Sequence, residues 1–335
     1  MITAGWVSLR IAPRTFWVAL ALLLLLSTVS AIALMHGTMS LSASEVIAAV
    51  WGDGERGVVR TVQGRRLPRL ITAILVGGAL GISGAMIQTV SRNPLGSPDI
   101  IGFTSGAATG AVIWISVFGV SVLPTALAAV AGGVLTASVV YLVARRDGVS
   151  GGIRLVLVGI GVGAITTAVT TVFVVRADHD RAANAQQWLA GTLIARGWTH
   201  ATSMLVAVAI LIVPVWIVSR RLSFLEMGDD LAAGVGVAVE RTRFLAVALA
   251  VLLLSVSVAT TGPIAFVSLA APQIARRLTR SAGVQVGTAF LVGACLLLLA
   301  DLLSQAVDIG LRTPVGTVTA LLGGLYLIWL LARRA

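Results

Sequence analysis

An all-α, polytopic membrane bundle of about ten transmembrane helices is the fold class this sequence predicts, and three observations predict it. Of 335 residues, 58% are apolar and only 11% charged, with a mean hydropathy of +1.01. The apolar residues fall in runs of about twenty, enough to cross about 30 Å of hydrocarbon at about 1.5 Å per residue. The arginines sit in the connections between those runs, where they orient a chain and meet lipid headgroups. A net charge of +11 would point to nucleic acid in a soluble chain, but that placement points to the membrane. One domain spanning residues 1–335 is expected. The lone Cys295 rules out a disulfide framework and a cysteine metal cluster. The sequence contains no lysine, so neither a GxxxxGK[ST] phosphate loop nor a Schiff-base lysine can form. The chain is therefore not expected to hydrolyse ATP by itself.

The first apolar run, 16–35, follows Arg10 and Arg14, and Ala31-Ile32-Ala33 resembles a signal-peptide cleavage site. The run exceeds a signal core in length and reads as the first helix. Residues 36–63 form a polar connection, in which Ser42 and Glu45 have the spacing of a capping box that opens a short surface helix. Further spans are expected at 67–90, 100–118, 122–143, 155–176, 199–219, 244–260, 264–278, 284–305 and 314–331. The 264–278 span is short and interrupted by Pro272. With a cytoplasmic N-terminus, fifteen arginines lie inside and nine outside, so both termini are expected inside. The cluster Arg65, Arg66, Arg69 runs against that rule, and an acidic partner on the outer face would account for it.

Residues 64–110 are the most informative stretch. Gly77, Gly81 and Gly84 leave one smooth helix face, and Gly102, Gly106 and Gly110 leave another, which serves close helix packing. Between them, Asn93-Pro94 and Ser97-Pro98 break the apolar pattern. Backbone freed by such a break is tolerated only against protein or water, so the break suits a polar seam of a translocation path.

The arginine-bracketed loop 220–243 is expected inside. Leu222, Leu225 and Glu226 suit one short helix stopping at Gly228. Asp229 or Asp230 can cap a second over 231–233, ended by Gly234 or Gly236. Two stubby helices make a knob for a soluble partner; a plain connection is the alternative. Asp178-His179-Asp180 reads as a solvated loop rather than a metal site. Gly159-Ile160-Gly161-Val162-Gly163 lies in an apolar helix and is no dinucleotide turn. Asp301 is either a functional intramembrane carboxylate or a helix-end cap. No acid, base and nucleophile come together, so the chain reads as a transport subunit and not an enzyme.

These pieces together resemble the FecCD-like permease family of ABC importers for iron-siderophores, haem and cobalamin. The matching residues are Arg66-Leu67-Pro68-Arg69, 77–88 (GGALGISGAMIQ), 93–98 (NPLGSP) with Ile101-Gly102, 188–191, 228–236, 262–276 (GPIAFVSLAAPQIAR), Ala300-Asp301, Pro314-Val315-Gly316 and Gly323-Gly324. They run through nearly the whole chain in family order.

The resemblance implies a type II ABC importer permease fold in the plasma (inner) membrane: two ten-helix subunits around a path, an extracytoplasmic substrate-binding lipoprotein, and two cytoplasmic ATPase subunits that bind ATP and Mg. The permease itself holds no cofactor and no metal. By position, Arg66 and Arg69 match the outer arginines that meet the binding protein. Leu225, Gly228, Asp229, Asp230, Ala232, Ala233, Gly234 and Val235 match the coupling helices. Gln88, Asn93, Pro94 and Pro98, with Gly262, Phe266, Pro272 and Gln273, match segments near the path and its gates.

Three departures stand out: Gln305 where the family usually has arginine, Arg312-Thr313-Pro314 for Glu-Leu-Pro, and Gln273 for histidine. Arg312 would return a docking charge, and the departures suit a heterodimer. A ferric siderophore is the expected cargo, with haem or cobalamin as the alternative. An ion-coupled secondary transporter is the competing class; it would have to work through Asp99, Asp301 or Asp308.

Overall fold

Long apolar runs in lipid must satisfy every backbone group internally, and this chain does so with helices. The computed structural model describes residues 2–4, 7–9, 12–37, 39–145, 152–281, 283–306 and 313–332. A hairpin of two three-residue strands, β1 (Ile2–Ala4) and β2 (Val7–Leu9), precedes fourteen α-helices among the described residues. They are α1 (Pro13–Met35), α2 (Ala43–Trp51), α3 (Arg56–Thr61), α4 (Leu67–Ser91), α5 (Phe103–Phe118), α6 (Val122–Ala144), α7 (Gly152–Arg176), α8 (His179–Leu189), α9 (Trp198–Leu225), α10 (Asp229–Gly234), α11 (Val239–Thr261), α12 (Val267–Thr279), α13 (Val286–Ala306) and α14 (Val315–Ala332). A π-helical turn, Val62–Arg66, joins α3 to α4.

The ten expected spans fall on α1, α4, α5, α6, α7, α9, α11, α12, α13 and α14. Among the described residues, seven helices are long and apolar enough to cross a membrane unaided, and α5 and the described apolar part of α14 are shorter. The 264–278 span proves shorter still: α12 begins only at Val267 and carries Pro272 inside it.

Helix α4 is the axis of the bundle, buried along almost its whole length and packed on α13, α11, α12 and α9. Small residues make that possible. A Cβ on Gly77 would run into the carbonyl of Gly293, one on Gly81 into that of Ala289, and one on Gly84 into that of Ser268. The second glycine face works likewise, with Gly106 against Thr136 and Gly110 against Ala128 of α6. Since lipid is as apolar as leucine, this close van der Waals fit, more than burial, drives helix association. By contrast, α6, α7 and α9 turn most of their apolar residues outward.

The surface helix α2 starts as expected. Ser42 Oγ accepts from the Glu45 amide at 3.3 Å, and Glu45 Oε2 accepts from the Ser42 amide at 2.7 Å. Two expectations are corrected. Asp178-His179-Asp180 opens helix α8 and is not a loop. The first short helix of the knob is the continuation of α9, which runs unbroken to Leu225. Within that basic stretch Arg220 lays its guanidinium over the Trp216 ring one turn earlier, 4.0 Å from the centroid, a cation–π contact along the helix surface.

Candidate translocation site and coupling surface

At the N-terminal end of α4, the arginine cluster is used within the chain. Arg69 binds Asp301 with two parallel hydrogen bonds, Nε to Oδ2 at 2.9 Å and Nη2 to Oδ1 at 2.7 Å. Asp301 is 2% exposed and also accepts from Gln305 Nε2 at 3.1 Å. The carboxylate is thus neither an N-cap nor an isolated charge but half of a bidentate pair joining α4 to α13. Arg66 donates to the carbonyl of Leu34 at 2.6 Å and to that of Met39, tying the end of α1 down. Arg56, Arg60 and Arg65 remain exposed; the first two line a depression of about 430 Å³ with Gln63 and Trp198. Arg312 and Asp308 lie outside the described residues.

At the opposite end of α4 lies a second cluster. Arg92, at the C-terminus of α4, donates to the Leu225 carbonyl at 3.0 Å and pairs with Asp229. Asp229 is also gripped by Arg243 of α11, with contacts of 2.7 and 2.8 Å. Arg243 pairs in turn with Glu240. Arg276 of α12 pairs with Glu226, which also accepts from Thr89 Oγ1 at 3.2 Å. Two adjacent charged clusters, Arg92–Asp229–Arg243–Glu240 and Glu226–Arg276 with Thr89, therefore tie the α9–α10 joint to α4, α11 and α12. Burial opposes the ionisation of Asp229, yet the hydrogen bond and charge of Arg243 and the charge of Arg92 outweigh it and hold the carboxyl below its ordinary range.

Helix α10 sits on these clusters. Asp229 does not cap it; Gly228, at φ +118°, occupies the cap position and no side chain caps the helix. Ala232 is its buried anchor, whereas Met227, Leu231 and Val235 are more than half exposed. Asp230, Ala233 and Gly234 are exposed too, and Gly236, at φ +83°, turns the chain back into α11. The result is a protruding apolar tip on an ion-paired base.

Between the two ends, the segments expected near a path come together. Gln88 Nε2 donates to the Leu269 carbonyl at 3.0 Å, and Gln273 Nε2 to the Pro94 carbonyl at 2.6 Å. The break after α4 is thereby fastened to α12 along the length of that short helix. Within the break, Asn93 Oδ1 accepts from the Leu95 amide at 2.9 Å, and the Pro98 carbonyl accepts from Phe103 at 3.0 Å. Pro272 is buried within α12. Nearby, Gly262 (φ +79°) and Gly191 (φ +67°) let three backbone segments touch, since a Cβ on either would strike Trp188 or Pro263. The Gly191 carbonyl accepts from Gly316 at 3.0 Å. Residues 188–191, 262–263 and 314–316 therefore form one junction.

Sequence reasoning weighed Asp99 only as a carboxylate for ion-coupled transport and did not place it among the path residues. One of its carboxylate oxygens accepts from Ser268 Oγ at 2.6 Å and the other from Thr104.

Over nearly its whole length the chain is similar to known transport permeases. The ferric enterobactin transport system permease protein FepG of Escherichia coli (strain K12) is 41% identical over 302 residues, covering 90% of this chain and 91% of that protein. FepD, a permease protein of the ferric enterobactin transport system in the same strain, is 33% identical, covering 93% and 94%. A solved structure described as an inward-facing metal-chelate type ABC transporter superposes with a TM-score of 0.82 at 27% identity, over 95% of this chain and 99% of that one. The profile of the FecCD transport family matches residues 22–333, and the chain belongs to that family.

Proposed function

We propose that this chain is the permease subunit of an ATP-driven importer that carries a ferric siderophore from an extracytoplasmic binding lipoprotein into the cytoplasm, as one domain. The observation that carries the proposal is the pairing of an exposed apolar tip on α10 with a charged base that reaches α4, α11 and α12. A soluble motor gripping Met227, Leu231 and Val235 would move the helices around the break directly. That motor is a pair of partner ATPases, which bind ATP and Mg; a lysine-free chain has no phosphate loop of its own. The α10 end is then cytoplasmic, with both termini, and the Arg69 end faces out in the plasma membrane.

On that outer face, Arg66 and Arg69 shape the rim from within. The exposed Arg56, Arg60 and Arg65, together with Arg312, meet acidic residues of the binding protein. FepG and FepD, two permeases of one system in one strain, support a heterodimer with a second permease.

The test is uptake of radiolabelled iron, offered as catecholate and hydroxamate siderophore complexes, into vesicles holding the permease pair, the ATPases and the binding protein. ATP-dependent uptake is expected. Uptake that survives ATP depletion but stops with an uncoupler would replace this reading with ion-coupled transport. Replacing Arg56, Arg60 and Arg65 together with glutamate should leave assembly intact and cut uptake about tenfold or more, by like-charge juxtaposition at the docking face. Unchanged uptake in that variant removes the docking assignment.

A further inference from the structure

The start of α12 has an unusual backbone. Phe266 has φ +77° and ψ −34°, and the Val267 amide donates to the Ala265 carbonyl at 3.0 Å. That is a γ-turn of the rare positive-φ kind, centred on an aromatic residue for which positive φ is an outlier. The Phe266 carbonyl then accepts from the amides of Leu269 and Ala270 at 3.1 and 2.9 Å, so the strained residue is also the first acceptor of α12. The helix has no side-chain cap of its own, which leaves its leading amides in need of partners. A residue from another segment lies there. The Asp99 carboxylate accepts from Ser268 Oγ at 2.6 Å, in the first turn of α12, and its negative charge suits a helix N-terminus. On the far side, the Phe266 ring lies against Gly323 of α14, where a Cβ would overlap it. Gly84 lets α4 close on the Ser268 carbonyl from behind.

We propose that Asp99 is a positioning residue of the transport step: it latches the break after α4 onto the Phe266 turn and so holds that ring on α14. Strain of this kind persists only where the surroundings over-determine it. Asp99 is the charged group that does so here, and Thr104 Oγ1 donates to the same carboxylate from the α5 side without bridging to the Phe266 turn. With the latch intact, the two interruptions, 92–102 and 262–266, move as one body, and displacement of α4 at its Arg92 end reaches Phe266 and α14. Without it, the turn relaxes and α12 moves independently of the ring. The functional half of this inference rests on the importer reading; the structural half does not.

The test uses the complete transporter and two readouts. Amide hydrogen exchange across 262–270 should quicken at least tenfold in Asp99→Ala, with α4 and α13 unchanged. Asp99→Asn keeps an acceptor for Ser268 Oγ and should restore most of the protection. Thr104→Ala removes only the donor on the α5 side and should stay within about twofold of the parent. Uptake per assembled complex should fall about tenfold in Asp99→Ala while basal ATP hydrolysis persists, and should partly recover in Asp99→Asn. Exchange that does not change in Asp99→Ala, or that rises equally in Thr104→Ala, overturns the latch. Quickened exchange with parental uptake overturns its role in transport. If the parent complex moves no iron chelate at all, the importer reading fails and the exchange result still decides the latch.

Discussion

The two ends of α4 carry opposite kinds of ion pairing. At the Arg69 end there is one pair built on a buried carboxylate, geometrically complete: Nε and Nη2 of the 23%-exposed Arg69 are both used, and Asp301 has a third donor in Gln305. At the Arg92 end the charges are spread over four segments and unevenly exposed, with side-chain exposures of 43% at Arg92, 36% at Asp229 and 41% at Arg276 but only 5% at Arg243. That network is also incomplete, because the buried Nε of Arg243 has no hydrogen-bond partner among the described residues. A buried, satisfied pair resists rearrangement, since separating it strands a charge at large cost. Exposed pairs such as those of Arg92 and Arg276 can exchange partners cheaply, whereas the buried Arg243 stays put. The difference teaches that α4 is clamped to α13 at one end and attached to α9, α10, α11 and α12 at the other by contacts that can be remade, as a lever needs.

The comparison breaks most visibly at the clamp. Arg69→Ala should destabilise the subunit by about 3–5 kcal/mol, because Asp301 is left charged and buried, and a thermal melt of the purified complex would show it. The paired change Arg69→Met with Asp301→Leu should recover most of that loss, since an apolar pair of similar volume often replaces a buried ion pair without penalty. If the double variant melts like the single one, the clamp is doing more than holding two helices together. A smaller effect is expected at the lever. Asp229→Ala should cost about 1–3 kcal/mol by removing both Nη2 hydrogen bonds of the buried Arg243, which keeps Glu240 as its partner, felt mainly where α10 attaches. Uptake per complex should then drop further than stability does. A melt as damaged as that of Arg69→Ala would mean that both ends are static clamps.

How much of this was legible in the sequence follows from the range of the physics involved. All ten spans could be placed because length and apolarity are local, and the faces of Gly77, Gly81, Gly106 and Gly110 follow from helical spacing alone. The continuation of α9 through Arg220 and Arg221 was not read from the sequence, because a basic pair reads as a membrane border, although Trp216 and Arg220 have the four-residue spacing of helix neighbours. Nor was the pairing of Arg69 with Asp301, 232 residues apart, or of Arg92 with Asp229, 137 apart: no local pattern encodes such partners. The family resemblance brought residues 88–98 and 262–273 to the same region. It did not supply the bonds of Gln88 and Gln273 that join them, and it passed over Asp99, whose partners lie on two other helices.

The smallest effect sharpens the comparison through pH. Arg243 and Arg92 lower the carboxyl of Asp229 in the folded chain, against the opposing effect of burial. A depressed carboxyl stabilises the folded state above its unfolded value, about 3.9, and that contribution is lost as pH falls through the lower folded value. Attachment of α10 should therefore be flat from about pH 8 to pH 5 and weaken only below about pH 4. Because Asp229 is about a third exposed, screening limits the loss to about 1 kcal/mol. Amide exchange over residues 229–234, compared between the parent and Asp229→Asn, isolates it: the two should converge in acid and differ at neutral pH. A difference that persists unchanged at pH 3.5 would mean that Asp229 holds α10 by shape and not by charge, and the lever would then be packed as firmly as the clamp.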